Sequence, residues 1–328
     1  MSRHPPPRFT PTEPFRPAPG ISGPHAQTLM GVALRPFRSP RLRRERWDTA
    51  DGDFIDLDIV DAPRDAPWVF AFHGLEGSSR SGYITAVLRG AQARGWGAVA
   101  LNFRSCSGEP NRSLHSYSSG DTTDARLVLQ RFRERLTGPL FAIGFSLGGN
   151  MLVKLMGELE DDCPLSGGCA VSVPYDLHLC ARALDTPQAW STLYRTVFLR
   201  SLRRKSLAKA LQHPGKLDVN AIRGARGIVQ FDDAVTARCY GFRDAVEYYT
   251  RSSAGAFVPH LRRPTLLVTS TDDPLIPGGA VPESAAENPF VSLALTSAGG
   301  HVGFVSGSLA RPRFWAEEQA LNFFDRLV

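Results

Sequence analysis

Three short, uninterrupted apolar runs constrain this chain more than any other feature: Trp68–Phe72 (WVFAF), Gly97–Phe103 (GAVALNF) and Leu140–Gly144 (LFAIG). Each has the length of a strand and is apolar at nearly every position, so both of its faces must be covered, as in the middle of a parallel sheet. Between the first two runs Ile84, Val87, Leu88 and Ala91 recur at helical spacing, and before the third Ala125, Val128, Leu129, Phe132 and Leu136 do the same. Further strands are expected at Cys169–Val173, Thr265–Thr269 and Val291–Leu295. Asp53–Asp61 (DFIDLDIVD) alternates apolar and acidic residues and reads as a half-exposed strand. One helix starts at Leu147, and a final amphipathic helix carries Ala316, Ala320, Phe323, Phe324 and Leu327. This alternation predicts an α/β fold with a mostly parallel, doubly wound sheet.

The rhythm breaks twice. Eight prolines fall within the first 24 residues, which predicts a Pro- and Arg-rich irregular arm over residues 1–45, laid across a surface. From Leu177 to about Pro259 the pattern is mainly helical, rich in Arg and aromatics, with no buried strand. The organisation expected is therefore a sheet domain over 46–176 and 260–328, with a helical cap inserted over 177–259. Such an insertion covers the carboxyl ends of the strands, where open α/β sheets bind ligands.

Composition excludes several classes. The 328 residues are 42% apolar and 21% charged, enough to bury a large core without disulfide or metal staples. The five cysteines form no CxxC pair, so neither a zinc site nor a disulfide framework is indicated, and a reducing, cytoplasmic compartment fits best. The charge-free stretch Asn288–Ala310 is too polar to span a membrane, and the first residues lack the apolar segment of a secretory signal. The net charge of +6 reflects 34 Arg against 4 Lys, grouped at Arg35–Arg46 and Arg195–Lys209. Neither group sits in a recognisable nucleic-acid module, so nucleic acid is not an expected partner.

The chemistry is concentrated in four places. Gly144-Phe145-Ser146-Leu147-Gly148 is a G-x-S-x-G that directly follows an apolar strand and opens a helix, the strand–turn–helix context of a nucleophile elbow. A serine hydroxyl needs a base, and the base needs an orienting carboxylate. His301, in the loop Ser297–Phe304, is the histidine that also follows a strand-end acid late in the sheet. The acid comes from Thr271-Asp272-Asp273-Pro274-Leu275-Ile276-Pro277. Asp273 is preferred because the residue before proline is held extended. Asp272 is its rival, otherwise expected to bond local amides. Two backbone donors for an oxyanion are expected from Leu147 and from the glycine-rich loop His73–Ser79, where Leu75 is the candidate. His73 is expected to be a structural hydrogen-bonding group.

These residues resemble the α/β-hydrolase superfamily and, within it, the YheT-like family of esterases. The resemblance rests on Pro24–Leu29 (PHAQTL), Phe72–Ser79 (FHGLEGSS), Asn102–Arg112 (NFRSCSGEPNR), Gly144–Asn150 (GFSLGGN), Phe231–Phe242 (FDDAVTARCYGF), Thr271–Pro277 (TDDPLIP) and Gly299–Phe304 (GGHVGF). It implies an α/β-hydrolase fold, a triad of Ser146, Asp273 and His301, and hydrolysis of short- to medium-chain carboxylic or acylglycerol esters without a cofactor or metal. Ser105 departs from the glycine usual in relatives. A thioesterase or peptidase using the same triad, and a catalytically idle binding scaffold, are the alternatives. Arg104, Asn111 and Arg112 are expected to form a loop-holding network in preference to touching substrate.

The basic stretch Arg195–Lys209 carries an apolar stripe of Tyr194, Val197, Phe198 and Leu202. It is read as a cap helix with its apolar side on the sheet and its arginines in water. The alternative is a basic amphipathic helix on an anionic membrane surface, which would place the protein peripherally at the inner membrane.

Overall fold

The computed structural model describes residues 8–35 and 39–328; residues 1–7 of the expected arm, and Arg38 of the first basic cluster, lie outside the described residues. Eight strands form one sheet: β1 (Arg43–Asp48), β2 (Phe54–Val60), β3 (Trp68–Phe72), β4 (Gly97–Asn102), β5 (Leu140–Phe145), β6 (Gly167–Val171), β7 (Thr265–Ser270) and β8 (Val291–Thr296). Their order is β1-β2-β4-β3-β5-β6-β7-β8, antiparallel as far as β4 and parallel beyond it. The helices that bear on the site are α1 (Pro24–Ala33), α2 (Gly82–Ala93), α3 (Thr123–Arg135), α4 (Leu147–Leu159), α5 (Leu177–Asp185) and α6 (Ala189–Gln212). The side chains of α3 and α4 fill one core with Phe70, Phe72 and Leu101. Those of α2 and the C-terminal helix Trp315–Asp325 fill the other with Val69, Phe141 and Ile143. Two faces, each covered by helices, explain why β3, β4 and β5 are apolar throughout.

The reading of β2 as half-exposed is corrected, since all seven of its residues are buried. The cause is β1, an edge strand of sequence RRERWD that hydrophobic alternation does not reveal. Its register sets Arg46 opposite Asp56 and Arg44 opposite Asp58. Arg46 grips Asp56 with two hydrogen bonds of 2.8 and 2.9 Å, and Arg44 grips Asp58 with two of 2.8 and 2.7 Å. Bidentate guanidinium–carboxylate pairs let the acidic side chains be buried as ions. Arginines of the first basic cluster are thus bound within the fold.

The N-terminal segment is less irregular than expected. It contains α1, and β1 begins at Arg43, inside the span assigned to the arm. Its extended part lies on the body: the Phe9 ring meets Phe323 edge-on at 5.3 Å, and the Ala18 amide donates to the Val305 carbonyl at 2.9 Å. Val305 opens a two-stranded hairpin, Val305–Ser308 with Arg311–Phe314, that the sequence reading did not anticipate. Between β6 and β7 the described residues from Leu177 to His260 hold helices and no strand.

Candidate active site

Ser146 sits between β5 and α4 with φ 52° and ψ −118°, a conformation unusual for a residue with a side chain. The turn is possible because its neighbours are glycines. A Cβ on Gly144 would stand 2.3 Å from the Gly148 carbonyl oxygen, and one on Gly148 would stand 2.4 Å from that of Phe72. The flanking glycines therefore let the helix start hard against the strands, and the serine is thrust out above the sheet. At the same carboxyl edge of the sheet β7 leads into Asp273, whose Oδ1 accepts the amides of Leu275 and Ile276 at 2.8 and 3.2 Å.

The three side chains expected to act together meet. His301 Nδ1 lies 3.1 and 2.9 Å from the two oxygens of Asp273, and Nε2 lies 2.8 Å from Ser146 Oγ. The carboxylate can only accept, so Nδ1 carries the proton and Nε2 is free to receive the serine hydroxyl. Asp272 turns away: its Oδ1 accepts the Gly300 amide at 2.9 Å.

The loop holding His301 is built from distant parts of the chain. Its own amide donates to Thr28 Oγ1 at 2.9 Å, and the Val302 amide donates to Ser172 Oγ at 3.0 Å. Gln27 is fully buried; it donates to the carbonyls of Ile21 and Val305 and accepts the Val305 amide at 2.7 Å. Arg35, paired with Glu317 at 2.8 Å, donates to the carbonyls of Val302 and Gly303. Sequence reasoning noted the PHAQTL motif without giving it a task. Its task is to hold the histidine loop. The only signal available was a Gln-Thr pair with no place in an apolar stripe.

The glycine-rich loop after β3 has a specific vacancy in its hydrogen bonding. The Gly74 amide donates to Tyr83 OH at 3.0 Å and that of Glu76 to Tyr117 OH at 2.9 Å. Gly77, Ser78, Ser79 and Arg80 also find acceptors. Among the amides from Gly74 to Arg80, Leu75 alone has no acceptor among the described residues. The Leu147 amide, first in α4, lacks one as well. His73 beneath the loop is fully buried. Its Nε2 accepts the Phe103 amide at 3.1 Å, which leaves Nδ1 to donate to the Gly74 carbonyl at 2.8 Å, and burial pulls its pKa down to about 4. It is a neutral structural group.

Arg104 and Asn111 are occupied in holding the neighbouring loop. Arg104 bonds both oxygens of Asp124 at 2.8 Å and reaches Asp51 at 2.6 Å. Asn111 donates to buried Asp53 at 2.5 Å, and Arg112 pairs with Asp48 at the surface. Ser105 has φ 64°, the left-handed region that glycine enters freely. Its hydroxyl offsets that cost by donating to Asn111 Oδ1 at 2.6 Å and accepting the Asn111 amide at 3.1 Å.

Ser146 and His301 open into a cavity of about 190 Å³ roofed by the helices between β6 and β7. Leu177, Ala181, Phe198, Leu202, Val235 and Ile276 give it apolar walls. Asp232 also lines it; its oxygens accept from Thr236 Oγ1 at 2.6 Å and Tyr249 OH at 2.7 Å, and burial pushes its pKa up to about 6. No group of three or more metal-binding side chains occurs among the described residues.

Helix α6 does not divide as expected. Tyr194 and Leu199 are buried, and Phe198 and Leu202 face the cavity, but Val197 points outward with Trp190, Leu193 and Leu211. The outer side of the helix thus mixes apolar residues with Arg200 and Arg204.

A doubly wound sheet with a serine elbow, a late acid and a later histidine defines an enzyme of the α/β-hydrolase type. The model of the alpha/beta hydrolase family matches residues 68–318, and the chain belongs to that family. Within it the chain is YheT-like. It is 37% identical over 318 residues to YheT of Escherichia coli (strain K12), an esterase candidate by its name, covering 95% of this chain and 93% of that one. Phospholipase ABHD3 of Mus musculus is 30% identical over 311 residues, covering 90% of this chain and 75% of its own. Among solved structures an esterase of Pyrococcus furiosus superposes with a TM-score of 0.55 at 16% identity, covering 97% and 98% of the two chains, a likeness of fold.

Proposed function

We propose that this carboxylic ester hydrolase is a serine esterase acting on short- to medium-chain acyl esters or acylglycerols through an acyl-enzyme intermediate. Ser146 Oγ attacks the acyl carbon while His301 Nε2 takes its proton. The resulting oxyanion is held by the amides of Leu75 and Leu147. Collapse of the tetrahedral adduct expels the alcohol, protonated by His301, and leaves the acyl group on Ser146. Water then attacks the acyl-enzyme with His301 again as base, and the second adduct breaks the Ser146 Oγ–acyl bond, releasing the carboxylic acid as His301 returns the proton to Oγ. Asp273 keeps Nδ1 protonated throughout and stabilises the imidazolium as it forms.

The observation that carries this reading is the unbroken chain Asp273–His301–Ser146 at the mouth of an apolar cavity, beside two amides without acceptors. Helices α5 and α6 act as a cap whose inner side chains receive the acyl group. Hydrolysis of p-nitrophenyl esters of graded acyl length, with labelling by a fluorophosphonate, tests it. A thioesterase would prefer acyl thioesters and a peptidase amides in the same assay, and a binding scaffold would cleave none of them.

A peripheral contact with anionic lipid at the outer side of α6 is part of the same proposal. The helix has no acidic residue, and Arg195, Arg200, Arg203, Arg204 and neighbouring Arg226 make no ion pair among the described residues. Trp190, Leu193, Val197 and Leu211 are 43 to 83% exposed between them. Exposed apolar residues interleaved with unpaired cations suit a lipid surface better than a nucleic acid. No helix of the described residues is long and apolar enough to cross a membrane. Co-sedimentation with phosphatidylglycerol vesicles that is lost in high salt supports this contact; equal recovery in the supernatant with anionic and neutral vesicles removes it.

A further inference from the structure

We propose that Glu76 is a positioning residue that ties the cap helix α6 to the oxyanion loop, so that the Leu75 amide is held in aim by the seated cap. The inference rests on the serine-esterase reading above and assigns a task to a residue that reading does not use.

Glu76 follows Leu75 directly and stands in the left-handed region, with φ 58°. A residue with a side chain stays there only where its surroundings hold it. Two attachments do so. On the sheet side, Tyr117 OH accepts the Glu76 amide at 2.9 Å and donates back to Glu76 Oε1 at 2.7 Å, closing a small ring. Tyr117 itself stacks on Phe103, with ring centroids 5.4 Å apart and planes at 13°. On the cap side, Lys205 Nζ reaches Oε1 at 2.9 Å and Ser201 Oγ donates to Oε2. Ser201 and Lys205 are four residues apart, hence on one side of α6, and the helix grips the carboxylate at two points.

The pair lies in the cavity wall, where Glu76 and Lys205 both take part. Their side chains are 11 and 25% exposed. Burial opposes ionisation of Glu76, but the Lys205 charge and the hydroxyl donors hold its carboxyl below the usual range. Such a pair is a weak source of stability compared with apolar packing, while its geometry is demanding. Tyr117 and the cap together fix the Leu75–Glu76 peptide plane, which adjoins the Gly74–Leu75 plane that carries the loop's free N–H, so loosening the carboxylate loosens the backbone on which that donor is aimed. Holding that plane is a task that geometry, and not burial, supplies.

The test compares Glu76→Gln, Lys205→Met and the double variant with wild type, using p-nitrophenyl ester kinetics and inhibition by an alkyl trifluoromethyl ketone, whose hemiketal oxyanion occupies the oxyanion hole. Each single variant is expected to lower kcat roughly ten- to hundredfold, less than the roughly hundred- to thousandfold cost of removing one oxyanion donor outright, because the donor is misaimed and not lost. KM should stay within about threefold, and the inhibition constant should rise in step with the fall in kcat/KM. The double variant should be no worse than the poorer single one, because both break one contact. A loss confined to KM with unchanged inhibition, or single effects that simply add, overturns the proposal. Should Glu76→Gln fail to fold, Lys205→Met and Ser201→Ala, which change only the cap side, carry the same comparison. Wild type that neither hydrolyses any ester nor labels at Ser146 overturns the esterase reading and the tie with it; active wild type with unaltered variants overturns the tie alone.

Discussion

Asp272 and Asp273 are consecutive in the chain and serve opposite sides of one loop: Asp273 meets the His301 ring at 2.9 Å, whereas Asp272 accepts the Gly300 amide at 2.9 Å. One carboxylate orients the imidazole and its neighbour holds the backbone that carries it. The residue that precedes proline, a position whose backbone is biased to extended conformations, is the one turned inward.

This division predicts a split between two conservative variants. Asp273→Asn should lower kcat by roughly 10⁴, because an amide in that place no longer fixes the Nδ1–H tautomer. Asp272→Asn keeps an oxygen that can accept the Gly300 amide, so kcat should fall by less than about tenfold. Steady-state kinetics on one ester rank the two, and the reverse ranking would assign the triad acid to Asp272.

Ser146→Ala should remove both ester hydrolysis and covalent labelling by a fluorophosphonate. Loss of a triad serine costs on the order of a millionfold, with the residue of activity due to the oxyanion donors and binding. Retention of more than a few per cent of activity, roughly four orders above that level, would place the nucleophile elsewhere.

If the apolar cavity beside Ser146 receives the acyl group as proposed, its lining predicts a change of selectivity. Phe198 projects from α6 into it, so Phe198→Ala should move the preferred acyl chain to a longer one and weaken turnover of the shortest esters. A fall in activity that is uniform across chain lengths would take Phe198 out of the acyl-binding wall.

Buried His73 and cavity-lining Asp232 set opposing trends of stability with pH. His73 is neutral in the fold with a pKa lowered to about 4 by burial, so its contribution is complete above the unfolded value near 6.5 and is lost as pH falls toward 4. Between pH 7 and pH 5 that loss is about 2 kcal/mol. Asp232, raised to about 6 by burial, favours the fold when protonated, so its contribution is lost as pH rises through 6 and regained on acidification. Asp232→Asn should therefore steepen the loss of stability from pH 7 to pH 5 by about 1 kcal/mol, measured by urea unfolding at both values. An unchanged slope would mean that Asp232 is ionised in the fold at both.

What the sequence determined by itself is local. The apolar runs placed β3, β4, β5, β6 and β7 because a strand covered on both faces must be apolar along its length. The elbow glycines, the acid before proline and the glycine-rich histidine loop marked Ser146, Asp273 and His301 because each needs turn chemistry within a few residues. Tertiary structure decided the rest, through partners that periodicity cannot connect. Burial of Asp56 and Asp58 awaited the arginines of β1; the histidine loop awaited Thr28, more than 270 positions earlier; Glu76 awaited Ser201 and Lys205 on α6. The outward apolar stripe of α6 was hidden for the same reason, since apolar residues on both sides of a helix leave no sided pattern until the core takes one of them. A charged or polar side chain in a sequence reads as solvent-facing by default, and only its distant partner, once folded against it, converts it into part of the site.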